Sequence, residues 1–99
     1  MANLLYTQHY ELFLNLLRDR REELGLRQTE LAVKLRQSQA SVSRVEAGER
    51  RIDVIELRDW LRALQLDFLP FMRTLEARLS ETTTIHEIRL GQDFSRDQQ

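Results

Sequence analysis

The feature that most constrains the fold of this chain is a pair of short helical segments separated by only three residues. Apolar residues recur at helical spacing over 28–35 and again over 39–47. The sequence between them, Arg36-Gln37-Ser38, leaves room only for a tight turn. Ser38 is a favourable N-cap for the second helix, and Gly48 follows its last residue. Two short helices joined in this way have the geometry of a helix-turn-helix.

Three further helices are predicted around this pair. The first runs from about residue 7 to residue 24, and Gly25 is a natural stop for it. The fourth begins at Asp53, which forms a capping box with Glu56. Asp67 can cap a fifth helix over 68–79. The predicted fold class is therefore all-α, with residues 1–79 forming one five-helix domain.

A different pattern begins after Ser80. The β-branched residues cluster over 82–88, and side chains alternate between Thr84 and Leu90. This pattern predicts one short strand, followed by a polar tail from Gly91 that we expect to be disordered. We expect the strand to pair with its copy in a second chain, as a two-stranded ribbon around 84–90, because a lone strand leaves its edges unpaired. Disorder of the whole segment is the alternative.

The composition excludes several classes of function. The chain of 99 residues has no cysteine, which rules out disulfides, thiolate zinc sites and cysteine nucleophiles. Its two histidines, His9 and His86, are far apart in sequence, and we see no catalytic triad, metal-ligand spacing or glycine-rich phosphate loop. We therefore expect no enzyme activity, cofactor or metal. No apolar run is long enough to span a bilayer and no signal peptide is evident, so a cytoplasmic protein without membrane contact is expected.

The charge is unevenly distributed along the chain. The net charge of −1 argues weakly against a nucleic-acid partner, but residues 1–51 carry +2 and residues 52–99 carry −3. All but one of the 15 basic residues are arginine. Arginine suits phosphates and guanine edges, although it also serves helix solubility, so this bias does not decide the function.

The stretches GLRQTELA (25–32) and QASVSRVEAG (39–48) closely resemble the phage-repressor/Cro-type (XRE) helix-turn-helix family. The resemblance covers roughly residues 14–66. It implies a repressor-like domain that binds duplex DNA. The matching positions are Gln28, Leu31-Ala32, Gln39, Ser43-Arg44, Glu46 and Gly48.

The resemblance also assigns roles to individual side chains. Since Val42 and Val45 must face the core, the opposite side of the third helix faces outward, and in the family this side enters the major groove. The base-contacting residues expected there are Gln39, Ala40, Ser43 and Arg44. The phosphate-contacting residues expected around them are Arg27, Gln28, Arg50 and Arg51.

Two side-chain pairs are implied by the same resemblance. Gln28 and Gln39 are expected to hydrogen-bond each other. Arg21 and Glu46, which lie on otherwise inward faces, are expected to form a buried or half-buried ion pair that orients the recognition helix.

The chain departs from the family pattern at two positions. Arg27 stands where the family usually has a Ser or Thr N-cap, so the second helix should lack a side-chain cap, at a cost of about 0.5–2 kcal/mol. Arg36 stands where the family usually has glycine in a left-handed conformation, which should cost about 1 kcal/mol or more.

Two functions remain open at this stage. One is a dimeric, sequence-specific repressor that binds a DNA operator. The other is an antitoxin-like module whose C-terminal segment grips a toxin-like protein and which uses DNA binding for autoregulation. For the homodimer, the candidate surfaces are the aromatic start of the first helix (Tyr6, Tyr10, Phe13), the helix 68–79 and the segment 82–90.

Overall fold

The computed structural model of the chain describes residues 4–89, with side chains to residue 85, and this part contains five helices and no strand. The all-α prediction is confirmed. The helices are α1 (Leu4–Glu23), α2 (Gln28–Leu35), α3 (Gln39–Glu46), α4 (Val54–Ala63) and α5 (Phe68–Arg89).

The first four helices end in the same way. The first or second residue after each helix has a positive φ. The backbone N–H of the residue that follows it donates a hydrogen bond to the carbonyl five residues earlier, as in the Schellman motif. In two cases the residue with positive φ is glycine, but Arg36 has φ +57° and Gln65 has φ +59°. The left-handed strain predicted at Arg36 is therefore present, and the sequence analysis missed the same strain at Gln65. The closing bonds are Leu26 to Arg21 (3.0 Å), Gln37 to Ala32 (2.9 Å), Glu49 to Arg44 (2.8 Å) and Leu66 to Leu61 (2.8 Å).

The helix starts also follow local rules. The Ser38 hydroxyl accepts the N–H of Ser41 (3.0 Å), and the Asp53 carboxylate accepts that of Glu56 (2.7 Å). Arg27 makes no side-chain cap for α2, as predicted. Instead, Glu30 accepts the backbone N–H of Arg27 (2.7 Å), which satisfies one of the amides exposed at the start of the helix.

The core lies where the five helices meet, and α5 contributes Phe71 and Leu75 to it. Its fully buried side chains come from the first four helices, and Trp60 is the largest of them. Val42 and Val45 are completely buried, so the inward face of α3 is fixed and its opposite face must point to solvent. The other fully buried side chains are Leu17, Leu31, Leu61 and Leu64.

The predicted C-terminal strand is wrong. Helix α5 continues without a break from Phe68 to Arg89, across the expected domain boundary after residue 79. The threonine hydroxyls that suggested a strand instead bond carbonyls one turn back, from Thr83 to Leu79 (2.8 Å) and from Thr84 to Ser80 (3.0 Å), which makes them compatible with a helix. Residue 90 of the predicted strand and the predicted tail 91–99 lie outside the described residues.

Packing against α1 explains why the helix continues. Helices α1 and α5 pack against each other, and the Thr83 hydroxyl lies 3.0 Å from His9 Nε2. Leu79 is partly buried against the core cluster. Because residues 84–89 are helical, they do not form the expected β-ribbon. Among the described residues, no helix is both long and apolar enough to cross a membrane.

Candidate nucleic-acid interface

The outward face of α3 carries the side chains expected to contact bases. Gln39, Ala40 and Arg44 are exposed, and Ser43 is half-buried beside them. The inner face is held by Val42 and its neighbours in the core, so this outward surface is presented on a fixed backbone. It offers an amide, a methyl, a hydroxyl and a guanidinium, which are the groups that recognise base edges in the major groove.

A chain of hydrogen bonds connects this face to the interior. Gln39 Nε2 donates to Gln28 Oε1 (2.8 Å), which is the bond implied by the family resemblance. Gln28 Nε2 in turn donates to Glu46 Oε1 (2.9 Å), a contact that the sequence analysis did not anticipate. Gln39 is therefore held at one end, although its side chain is exposed.

This series of hydrogen bonds, from Gln39 through Gln28 to Glu46, ends at a buried ion pair. Arg21 Nε donates to Glu46 Oε2 (2.7 Å), and a terminal nitrogen of Arg21 donates to Glu46 Oε1 (2.9 Å). The relative exposure of Arg21 is 9% and that of Glu46 is 5%. A third guanidinium contact goes to the carbonyl of Leu26 (2.8 Å). Hydrogen bonding by Glu46 raises the pKa of Arg21, although burial acts in the opposite direction, so the guanidinium remains charged.

Arg51 is exposed in the loop that follows α3 and is held by α1. Its guanidinium lies over the rings of Tyr6 (5.2 Å) and Tyr10 (5.1 Å) and donates a hydrogen bond to the Tyr6 hydroxyl. The two tyrosines stack on each other, with centroids 6.2 Å apart. Burial raises the pKa of Tyr10 because it disfavours the charged phenolate. The start of α1 therefore orients a cation in the loop that follows α3.

Arg50, the neighbouring arginine, has a different environment from Arg51. It is half-buried and forms an ion pair with Glu56 (2.7 Å). Glu56 also accepts a bond from Gln37 (3.2 Å), and Gln37 accepts one from the Ser41 hydroxyl (3.0 Å). This second network joins the turn, α3, the following loop and α4. One terminal nitrogen of Arg50 thus helps to hold the loop between α3 and α4.

The partners of Arg50 in this second network are not evident from the sequence. Glu56 was expected to complete a capping box with Asp53, but its carboxylate points to Arg50 and Gln37 instead. The sequence contains a weak signal, because Gln37 lies in the turn and Glu56 on the first turn of α4, but no local spacing shows that they meet. The sequence likewise gives no sign that the tyrosines at the start of α1 hold Arg51.

A family model described as helix-turn-helix matches residues 17–71, which is more than half of the chain. The matched region begins in α1, contains α2, α3 and α4, and ends in the first turn of α5. The chain belongs to the helix-turn-helix family, and the XRE-type resemblance seen in the sequence is confirmed. It has no significant match among curated proteins or among solved structures.

Family membership supports a DNA-binding regulator. In this helix-turn-helix protein, α2 and α3 form the motif, α1 and α4 pack against it, and α5 pairs with α1. Within the described residues, no cluster of three or more His, Asp or Glu side chains could hold a metal ion.

Proposed function

We propose that this helix-turn-helix protein is a sequence-specific transcriptional regulator that inserts α3 into the major groove of duplex DNA. The observation that carries the proposal is the exposed face of α3, whose first residue, Gln39, is tied through Gln28 to the buried Glu46. Fixing an amide before binding lowers the entropy lost when it contacts a base.

Four side chains on α3 contact bases in this proposal. Gln39 pairs with adenine and Arg44 with guanine, because each offers two hydrogen-bonding groups in a matching plane. Ala40 offers its methyl group to thymine, and Ser43 hydrogen-bonds to either kind of base. Three of the four are exposed and Ser43 is half-buried, whereas Val42 and Val45 are completely buried.

Phosphates are contacted by the groups around this face. Arg27, which directly precedes α2, and Arg51, in the loop after α3, are exposed cations that flank the motif in sequence. Gln28 is the first residue of α2, whose N-terminal amides and dipole favour an anion. Arg50 is a further phosphate contact in this proposal, and its ion pair with Glu56 holds the loop that carries it.

The finer parts of the proposal are a homodimer and a repressor. One recognition helix of eight residues contacts only a few base pairs, and regulators with this motif gain specificity by binding two half-sites about 34–36 Å apart. A compact domain that covers the groove would repress by excluding other proteins from the same DNA.

An antitoxin-like role is the competing proposal, and one observation weighs against it. That role needs the segment after residue 80 to be available for a partner protein. In the structure, Thr83 contacts His9 of α1, so the first part of this segment already has a binding surface within the chain.

The test is a gel shift of the purified chain on duplex DNA from upstream of its own gene, with a salt titration and a random duplex of equal length. We expect cognate binding at least about a thousandfold tighter than random binding, as is typical of specific regulators. Equal binding to both duplexes would contradict the proposal. Stable binding of a co-purified protein together with weak, unspecific DNA binding would favour the antitoxin-like role.

A further inference from the structure

The hydrogen bonds from Gln39 through Gln28 lead to Glu46, a group that can only accept hydrogen bonds. Glu46 is a carboxylate, and neither of its oxygens carries a proton to donate. Arg21 donates to both oxygens, and Gln28 donates to Oε1 (2.9 Å). Because a glutamine amide has one donating and one accepting end, Glu46 decides which end of Gln28 turns inward.

The orientation that Glu46 imposes on the Gln28 amide in turn fixes the orientation of the Gln39 amide. With Nε2 facing Glu46, Gln28 presents its Oε1 to Gln39. That oxygen also only accepts, so Gln39 must donate from Nε2 (2.8 Å). Each amide therefore has one orientation that satisfies its partners, and the reverse orientation would place two acceptors or two donors face to face.

From this arrangement we infer that Glu46, acting through Gln28, is a positioning residue that determines the base preference of Gln39. The inference rests on the proposed role of Gln39 in contacting a base. Once Nε2 has donated one proton to Gln28, Gln39 keeps one N–H on the side near Gln28 and its Oε1 on the far side. This donor-then-acceptor order matches N7 and N6 of adenine, whereas guanine presents two acceptors, N7 and O6.

The residue at position 28 should determine the donor-then-acceptor order of the Gln39 amide. A donor in place of Gln28 would require Gln39 to accept with Oε1, which turns its amide over. An acceptor in place of Gln28 would leave Gln39 donating from Nε2 as before. The matched pair is therefore Gln28→Lys, which donates and suits the nearby Glu46, and Gln28→Glu, which accepts but loses the bond to Glu46.

The experiment uses the full chain and a duplex that it selects from a randomised pool, together with all single-base-pair variants of that duplex. Competition binding gives the preference at each position, and circular dichroism confirms that each protein is folded. The base pair contacted by Gln39 is the one whose preference Gln39→Ala abolishes. For the wild type, we expect adenine to be favoured over guanine there by about tenfold or more.

The two substitutions of Gln28 then test whether the orientation of Gln39 determines the adenine preference. We expect Gln28→Lys to reduce the adenine preference at this one position to about threefold or less, while Gln28→Glu keeps most of it despite weaker binding overall. Glu46→Gln should also reduce the adenine preference. If that variant does not fold, the comparison of Gln28→Lys with Gln28→Glu tests the inference. An unchanged preference in Gln28→Lys would overturn the inference while leaving the proposed function intact. If instead Gln39→Ala alters no position, the proposed base contact by Gln39 fails, and the inference fails with it.

Discussion

Arg21 and Glu46 join α1 to α3 through two nearly parallel hydrogen bonds of 2.7 and 2.9 Å, buried beneath the face proposed to contact DNA. Glu46 has a second role, because it also accepts a hydrogen bond from Gln28, and Gln28 accepts one from Gln39. One carboxylate therefore takes part both in the packing of α3 and in the orientation of its first side chain. Folding and recognition should respond together when it is changed.

Glu46→Gln should lower the free energy of unfolding by about 3–5 kcal/mol, because it leaves the buried Arg21 without its counter-charge. Urea unfolding followed by circular dichroism measures the change. Glu23→Gln is the matched control, since it removes an exposed partner of Arg20 at 3.4 Å and should cost less than about 1 kcal/mol. Equal losses in the two variants would show that burial does not govern the Arg21 pair.

Arg44→Ala should weaken binding to the selected duplex by about 1–3 kcal/mol and binding to random DNA much less. The physical reason is that an exposed guanidinium on α3 can pair with both acceptors of guanine, which only the cognate sequence offers in place. Competition titration against both duplexes measures the difference. Arg73→Ala, an exposed arginine on α5, is the control and should leave both affinities unchanged. Equal cognate binding by Arg44→Ala and wild type would refute the assigned face.

Arg51→Ala should instead weaken cognate and random binding by similar factors. A phosphate contact releases counterions whatever the sequence, so the slope of log K against log salt should fall in magnitude by about 1. Loss of the contacts with Tyr6 and Tyr10 should add a small loss of stability, about 0.5–1 kcal/mol. A salt slope equal to that of wild type would remove Arg51 from the phosphate contacts.

Gln65→Gly should stabilise the protein by about 0.5–1 kcal/mol. Gln65 has φ +59°, a conformation that is strained for a residue with a Cβ atom, while glycine adopts it freely. Part of the gain is offset because glycine makes the unfolded chain more flexible. Gly25→Ala is the converse control: Gly25 has φ +69°, and this variant should be less stable than wild type. The thermal unfolding midpoints report both, and a lower midpoint for Gln65→Gly would contradict the strain argument.

Thr83→Ala should be less stable than Thr84→Ala by about 1 kcal/mol. Both substitutions bring the same gain in helix propensity and lose the same bond to a carbonyl one turn back. Thr83 alone of the two contacts His9, and it is half-buried whereas Thr84 is exposed. Chemical denaturation of the two variants therefore isolates the contact between α1 and the end of α5. Identical stabilities would show that this contact contributes nothing.

The sequence by itself determined the features that depend on neighbours along the chain. Glycine at position 25, a serine at 38 and an aspartate at 53 mark helix limits through local hydrogen bonds, and the structure places the limits there. Even the departure at Arg36 could be predicted, because the turn between α2 and α3 requires a left-handed residue whatever its side chain. The family resemblance supplied the Arg21–Glu46 and Gln28–Gln39 pairs before the structure did.

Tertiary structure decided the contacts that join distant parts of the chain. The threonines near residue 83 favour a strand locally, and they became helical because α1 offers a packing surface and because their hydroxyls can bond the preceding turn. Arg50 and Arg51 are adjacent and chemically identical, yet one pairs with Glu56 in α4 and the other lies over tyrosines of α1. Such differences arise only when helices pack, because the partners of a side chain are set by which surfaces meet in space rather than by its neighbours in sequence.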